Sequence, residues 1–190
     1  MPPNNSSTNL ILAVVGMPGS GKSETVAYLD KLSIPFVRFG KVTDEGLKEQ
    51  GLPLTPENEQ KFREEIRRKM GMEAYAIKAK PLIDKLLLEH RIIAIDGLYS
   101  WEEYKFLKKE FSNLTLIHMF AEPKIRYKRL TSREVRPVPI EKCRLRDIME
   151  IEKLNKGGTI AIADYLIENN DDNIQNLHTK IDKLLQKIGI

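Results

Sequence analysis

Residues Gly16 to Ser23 read Gly-Met-Pro-Gly-Ser-Gly-Lys-Ser, which fits the spacing G-x-x-x-x-G-K-[ST] at every defined position. The chemistry of such a run is the capture of a polyphosphate. Glycines open backbone angles closed to residues with a Cβ and let main-chain N–H groups approach phosphate oxygens. A helix that starts directly afterwards aims its unsatisfied N–H groups and positive dipole end at the same oxygens. Lys22 is long enough to reach the β- and γ-phosphates, and the Ser23 hydroxyl suits Mg²⁺. The cradle expected from the motif comprises Gly16, Pro18, Gly19, Ser20, Gly21, Lys22, Ser23 and Glu24. A second acid for the metal shell is expected at Asp96, the end of "RIIAID"; the alternative is an aspartate capping the turn before a helix at Ser100.

These residues need a scaffold, and the hydrophobic pattern supplies one. "NLILAVV" (Asn9 to Val15) is too apolar for a half-exposed strand and suits a central strand covered on both faces. A helical pattern follows from Lys22 to Leu32, then a short strand, "IPFVRF", closed by Gly40. Thr55 as N-cap, Pro56 at the first helical position and Glu57 in the first turn announce another helix, with Phe62, Ile66 and Met70 as its buried stripe. The helical stretch from about Glu73 to Glu89 is expected to break or kink at Pro81. Beyond it, strands "RIIAIDG", "NLTLIHMF" and "IADYLIEN" alternate with helices at "SWEEYKFLKKEF", "EPKIRYKRL", Glu141 to Leu154 and "NIQNLHTKIDKLLQKI". Alternation of this kind predicts an α/β three-layer sandwich with a parallel sheet, whose ligands gather at the carboxyl ends of the strands. Gly16, Gly40, Asp96 and Asn169 stand at four such ends.

Composition narrows the classes. The 190 residues carry a net charge of +4, which favours anionic ligands without the clustered basic surface of a nucleic-acid binder. No apolar run approaches the roughly 20 residues of a membrane span. "MPPNNSST" has neither a charged side chain nor the apolar core of a signal peptide, so residues 1–8 are expected as a disordered tail before one domain over 9–190. The single cysteine, Cys143, has no intramolecular disulfide partner, which fits a cytoplasmic location. His90, His118 and His178 lack metal-ligand spacing.

At this point the chain resembles the P-loop nucleoside-monophosphate kinases, most of all the dephospho-CoA kinases and the adenylate-kinase-related proteins. "VVGMPGSGKSE" is similar to their opening, "IAIDG" to their Asp-Gly strand end, and "RLTSR" (Arg129 to Arg133) to the Arg-Leu-x-x-Arg that enters their lid. "RDIMEIE" and "IAIADYLIENN" are similar to their Arg-Asp segment and to an Ala-Asp-Tyr strand ending in Asn. The resemblance implies a P-loop NTPase fold of nucleotide-kinase type, with acceptor-binding helices at about 41–90 and a small lid at about 131–146. It implies transfer of the γ-phosphoryl group of Mg-ATP to a small nucleotide-like acceptor such as dephospho-CoA or a nucleoside monophosphate. Lys22, Asp96, Arg129 and Arg133 would carry the catalysis, with Ser23 and Asp96 on the metal. Arg136 and Asn169 would join the nucleotide site, with Arg146 a further lid candidate.

Two positions depart from that family's pattern. Lys41 stands where an acid commonly follows the second strand, with Asp44 and Glu45 near enough to substitute. Tyr99 stands where an arginine commonly clamps the acceptor after Asp-Gly. Arg63, Arg67 and Arg68 read best as a solvated helix face, paired Glu64–Arg68 and Glu65–Lys69 at i,i+4. Arg126 and Lys128 read as solvated, and Cys143 as packing. Trp101 reads equally as a stacking platform or a core residue. Two other classes stay open. One is an ATP-binding regulator or hydrolase, although a GTPase would need D-x-x-G, which is absent, and N-K-x-D, where "NKGG" at Asn155 has glycine for the acid. The other is a nucleic-acid end kinase.

Overall fold

The computed structural model describes residues 9–134 and 136–190; the tail expected at residues 1–8 lies outside them. Five strands run in the order β2-β3-β1-β4-β5, with β1 Leu10–Val15, β2 Phe36–Arg38, β3 Ile92–Asp96, β4 Leu114–Phe120 and β5 Tyr165–Glu168. Every pairing is parallel: Ala13 stands opposite Ile95 on one side and Leu116 on the other, while β2 and β5 pair with β3 and β4 at the two edges. The expected α/β sandwich with a parallel sheet is the observed fold.

The period-two alternation of β1 divides the core. Ile11, Ala13 and Val15 face one layer with Tyr75, Ile83 and Leu107, while Leu12 and Val14 face the other with Leu29, Leu177 and Ile181. The first layer holds α3 (Pro56–Met70), α4 (Ala74–Glu89) and α5 (Trp101–Glu110), and the second holds α1 (Lys22–Lys31) and α9 (Ile174–Lys187). Because β1 is covered on both faces, it tolerates no polar side chain until Gly16.

Local signals act where the sequence places them. Thr55 Oγ1 accepts the Asn58 N–H at 3.2 Å and caps α3. Ser100 and Glu103 form a reciprocal capping box on α5. Pro81 does not break α4, which runs uninterrupted from Ala74 to Glu89. Proline removes one donor, and Pro81 is exposed, so water can serve the carbonyl left without a partner one turn earlier.

Two short helices had no sequence signal: α2 (Gly40–Glu49), directly after β2, and α8 (Gly157–Ala161), between α7 (Ile140–Leu154) and β5. The remaining helix, α6 (Pro123–Thr131), follows β4. Among the described residues no helix is long and apolar enough to cross a membrane.

Candidate active site

The phosphate loop leaves β1 at Gly16 and enters α1 at Lys22, and its shape is enforced from outside. Gly19 has φ 80, and a Cβ there would lie 2.7 Å from the Arg126 carbonyl oxygen. Gly21 has φ 103 at the N-cap of α1, and a Cβ there would meet Asn169 Nδ2 at 2.3 Å. Only glycine fits either place. Ser20 is fully buried and its hydroxyl has no hydrogen-bond partner, an orphan inside a loop of open amides that a phosphate oxygen can satisfy.

Arg126 is the prop beneath this loop. It is 5% exposed, and its guanidinium donates to Ala121 O at 3.1 Å, to Pro18 O at 3.1 Å and to both Asp147 carboxylate oxygens at 2.9 and 2.7 Å. The expectation of a solvated Arg126 is overturned: a buried bidentate pair ties α6 to α7 and holds the loop backbone. Its neighbour Lys128 does face solvent, paired with exposed Asp172. Asn169, at the end of β5, donates from Nδ2 to Ser20 O at 3.0 Å, so it braces the glycine loop.

Lys22, Asp96 and Arg133 converge at the carboxyl end of the sheet. Lys22 Nζ donates to Met17 O at 3.0 Å. Its pKa is pulled down to about 7, by loss of solvent first and by the Lys156 ammonium second, against the pull of Glu150 and Asp96. Burial raises the Asp96 carboxyl above its usual range, opposed by Lys22, Arg38 and Lys156. Arg133 is lowered by partial desolvation and then by Arg146. Arg133 therefore lies within electrostatic reach of both Lys22 and Arg146. Ser23 sits exposed at the start of α1, beside the loop.

Arg129 and Arg136 are not with them. Arg129 donates to the carbonyls of Asn169 at 2.9 Å and Asp171 at 2.5 Å. It walls a pocket of about 170 Å³ with Gly21, Glu24, Asn169 and Asn173. It therefore stands beside the entrance to α1. Arg136 has a left-handed backbone, φ 55, and its guanidinium grips Glu59 of α3 at 2.6 and 3.1 Å. It lines a second cleft and leaves the nucleotide loop alone.

That second cleft, about 400 Å³, lies between β2, α3 and the loop after β3, and Arg38, Arg63, Arg67 and Arg136 all line it. The solvated, self-paired face expected for α3 holds only in part. Lys69 does pair with Glu65 at 2.5 Å and Arg68 is exposed, yet Arg63 and Arg67 turn inward. Arg63 binds Glu59 at 3.1 Å, and Arg38 binds Asp44. Arg67 lies over the Tyr75 ring at 4.8 Å, and its buried Nε has no hydrogen-bond partner. Of the two acids offered near Lys41, Asp44 faces this cleft, whereas Glu45 pairs with Lys41 at 3.3 Å and lines a separate pocket between α2 and α3. Trp101 stacks on Tyr104 and closes over Gly158, so it packs helices together.

Lys156 was absent from the sequence expectations. It is 1% exposed, bonds Glu150 at 2.5 Å, and sits 4.4 Å over the Tyr99 ring. No local pattern marks it: Asn155-Lys156-Gly157-Gly158 looks like a turn, and its site-facing role arises only when α7 folds back over the sheet.

Comparisons with known proteins agree with this geometry. The family described as an AAA domain matches residues 12–155. A UPF0200 protein of Thermococcus sibiricus is 34% identical over 185 residues, which cover 95% of this chain and 96% of that protein. The fold is similar to a shikimate kinase from Bacteroides thetaiotaomicron, with TM-score 0.61, 11% identity, and 95% and 99% of the two chains covered. It is also similar to a gluconokinase from Sinorhizobium meliloti, with TM-score 0.52, 14% identity, and 95% of each chain covered.

Proposed function

The chain belongs to the UPF0200 family and carries an AAA domain over most of its length, and from that premise we propose that it is an ATP- and Mg²⁺-dependent small-molecule kinase. It transfers the γ-phosphoryl group to a small anionic acceptor; dephospho-CoA and nucleoside monophosphates are candidates. The observation that carries the reading is the pair of openings on either side of Lys22 and Asp96. One is a glycine-walled phosphate loop with a pocket of about 170 Å³ at its outer end. The other is a cleft of about 400 Å³ lined by four arginines. A donor anion and an acceptor anion can meet between them.

The loop amides, the Ser20 hydroxyl and Lys22 hold the triphosphate, and the pocket beside Arg129 and Glu24 takes its base. Ser23 and Asp96 would hold Mg²⁺, which when bound would supply positive charge against the transferring phosphates. Arg133 and Arg146 stabilise the charge that gathers on the equatorial oxygens of the transferring group, because rigid donors lower the barrier without reorganisation. Arg67 and Arg63 orient the acceptor, and Asp44, held by Arg38, is placed to accept the proton of an acceptor hydroxyl. Arg136, reaching from the α6–α7 connection to Glu59, serves as a lid contact that keeps water out.

The test is acceptor-dependent ADP formation with Mg-ATP. The panel comprises dephospho-CoA, nucleoside monophosphates, nucleosides, shikimate, gluconate and a short RNA, with Lys22→Ala as control. One acceptor that raises ADP formation in the wild type but not in Lys22→Ala supports the kinase reading. Tight Mg-ATP binding with no response to any acceptor moves the protein to the regulator class, and a response to RNA alone moves it to the end kinases.

A further inference from the structure

The structure places a cation over the loop that follows Asp96-Gly97. Lys156 Nζ rests 4.4 Å from the centroid of the Tyr99 ring, which attracts it through the negative face of the π system. Its backbone is fixed on both sides. The Asn155 carbonyl accepts the Trp101 N–H at 3.2 Å, Asn155 Nδ2 donates to Glu102 at 3.2 Å, and the Thr159 hydroxyl donates to Lys156 O at 2.9 Å. The loop beneath is fixed as well, because Glu103 accepts the N–H groups of Tyr99 at 2.7 Å and Ser100 at 3.0 Å.

From this seat the ammonium holds one oxygen of Glu150, at 2.5 Å. The other oxygen of Glu150 lies 3.5 Å from Arg146 Nε, one helical turn earlier on α7. Glu150 is thus shared between two cations, and neither has it alone. A lone Glu150–Arg146 pair at i,i+4 would close into a bidentate grip and draw the guanidinium back onto its own helix.

We infer that Lys156 is a positioning residue of the phosphoryl-transfer centre: by occupying one oxygen of Glu150 from its seat on Tyr99, it leaves the Arg146 guanidinium presented beside Arg133 to the transferring group. The inference rests on the kinase reading. It is the ring of Tyr99 that matters, because the ring face carries the ammonium.

The experiment measures affinity for Mg-ADP alone and for Mg-ADP with aluminium fluoride, which mimics the transferring phosphoryl group and requires no acceptor. In Lys156→Met, affinity for Mg-ADP is expected to stay within about twofold while affinity for the fluoride complex falls about tenfold or more, the scale of losing a preorganised donor. Lys156→Arg and Tyr99→Phe keep wild-type affinity, and Tyr99→Leu loses it in part. In an Arg146→Ala background, Lys156→Met causes no further loss, because the two residues act as one unit. Where Lys156→Met lowers Tm, the double variant Lys156→Met/Glu150→Gln removes the buried pair together; its Tm recovers and, with no carboxylate left to draw Arg146 back, its fluoride-complex affinity recovers as well. Unchanged fluoride-complex affinity in Lys156→Met, an undiminished loss on the Arg146→Ala background, or a double variant whose Tm recovers while its fluoride-complex affinity stays weak would each overturn the inference and leave the kinase reading intact. A wild-type protein that binds no Mg-ADP overturns the kinase reading and the inference together.

Discussion

The two halves of the cleft are built from different materials. The phosphate loop is a contiguous stretch of eight residues that works through main-chain N–H groups, and its side-chain demands reduce to small residues, one lysine and one hydroxyl. The facing cleft draws Arg38 from β2, Arg63 and Arg67 from α3, and Arg136 from the α6–α7 connection, all working through side chains. The first is braced by buried groups: Arg126 and Asn169 hold the Pro18 and Ser20 carbonyls at 3.1 and 3.0 Å. The second is held by carboxylates it can exchange for a ligand, with Glu59 shared by Arg63 and Arg136. The contrast suggests a fixed donor site and an adjustable acceptor site, which is how one fold can keep its nucleotide and change its substrate.

Removing the donor side's charge should give the largest effect. Lys22→Ala is expected to lower phosphoryl transfer by roughly a thousandfold or more, with an unchanged circular dichroism spectrum; a variant that keeps its activity would end the kinase reading. Removing the brace comes next. Arg126→Ala leaves Asp147 charged and buried, at a cost of about 3–5 kcal/mol in stability, while Arg126→Met with Asp147→Leu should recover most of it in a denaturant titration. If Arg126→Ala unfolds at the wild-type midpoint, the donor side is no more rigid than the acceptor side.

On the acceptor side the expected losses are in KM. Arg67→Ala should raise KM for the acceptor on the order of ten- to hundredfold, the worth of a charged hydrogen bond, with KM for ATP unmoved. Arg68→Ala, one residue on but facing solvent, should change neither. Equal effects of the two would mean that the inward turn of Arg67 has no bearing on the acceptor.

The smallest effect expected is a slope. Burial raises Glu103 to about 7, although the N–H groups of Tyr99 and Ser100 favour its anion. A free glutamate titrates near 4.3, so the native state binds this proton more tightly than the unfolded chain. Stability should therefore fall as pH rises from about 4 to 7, by no more than about 1.4 kcal/mol per pH unit from this group. Glu103→Gln should flatten that part of the profile in urea titrations run at several pH values. An unaltered slope would show that the loop holding Tyr99 does not strain its own anchor.

Much of this was legible before folding. The phosphate loop could be read because its spacing needs consecutive residues, and the inner strands β1 and β3 could be read because central strands covered on both faces must be almost purely aliphatic. Thr55 and Ser100 announced their helices through contacts no more than three residues away. Where the reading erred, the partner was remote. Arg126 stands in a basic run that reads as solvated, but its partner Asp147 lies 21 residues on. The pairing of Arg136 is equally invisible locally, because Glu59 lies 77 residues back.

The sequence by itself determined the donor side: a buried strand, a glycine turn, one lysine and a helix start leave a polyphosphate as the natural ligand, because backbone conformation and local spacing suffice to specify them. Only the tertiary structure decided which charges meet. Nothing in residues 59, 63, 67, 136, 150 and 156 taken singly distinguishes a solvated charge from a site charge. The difference is desolvation and proximity, and both are properties of the packed chain.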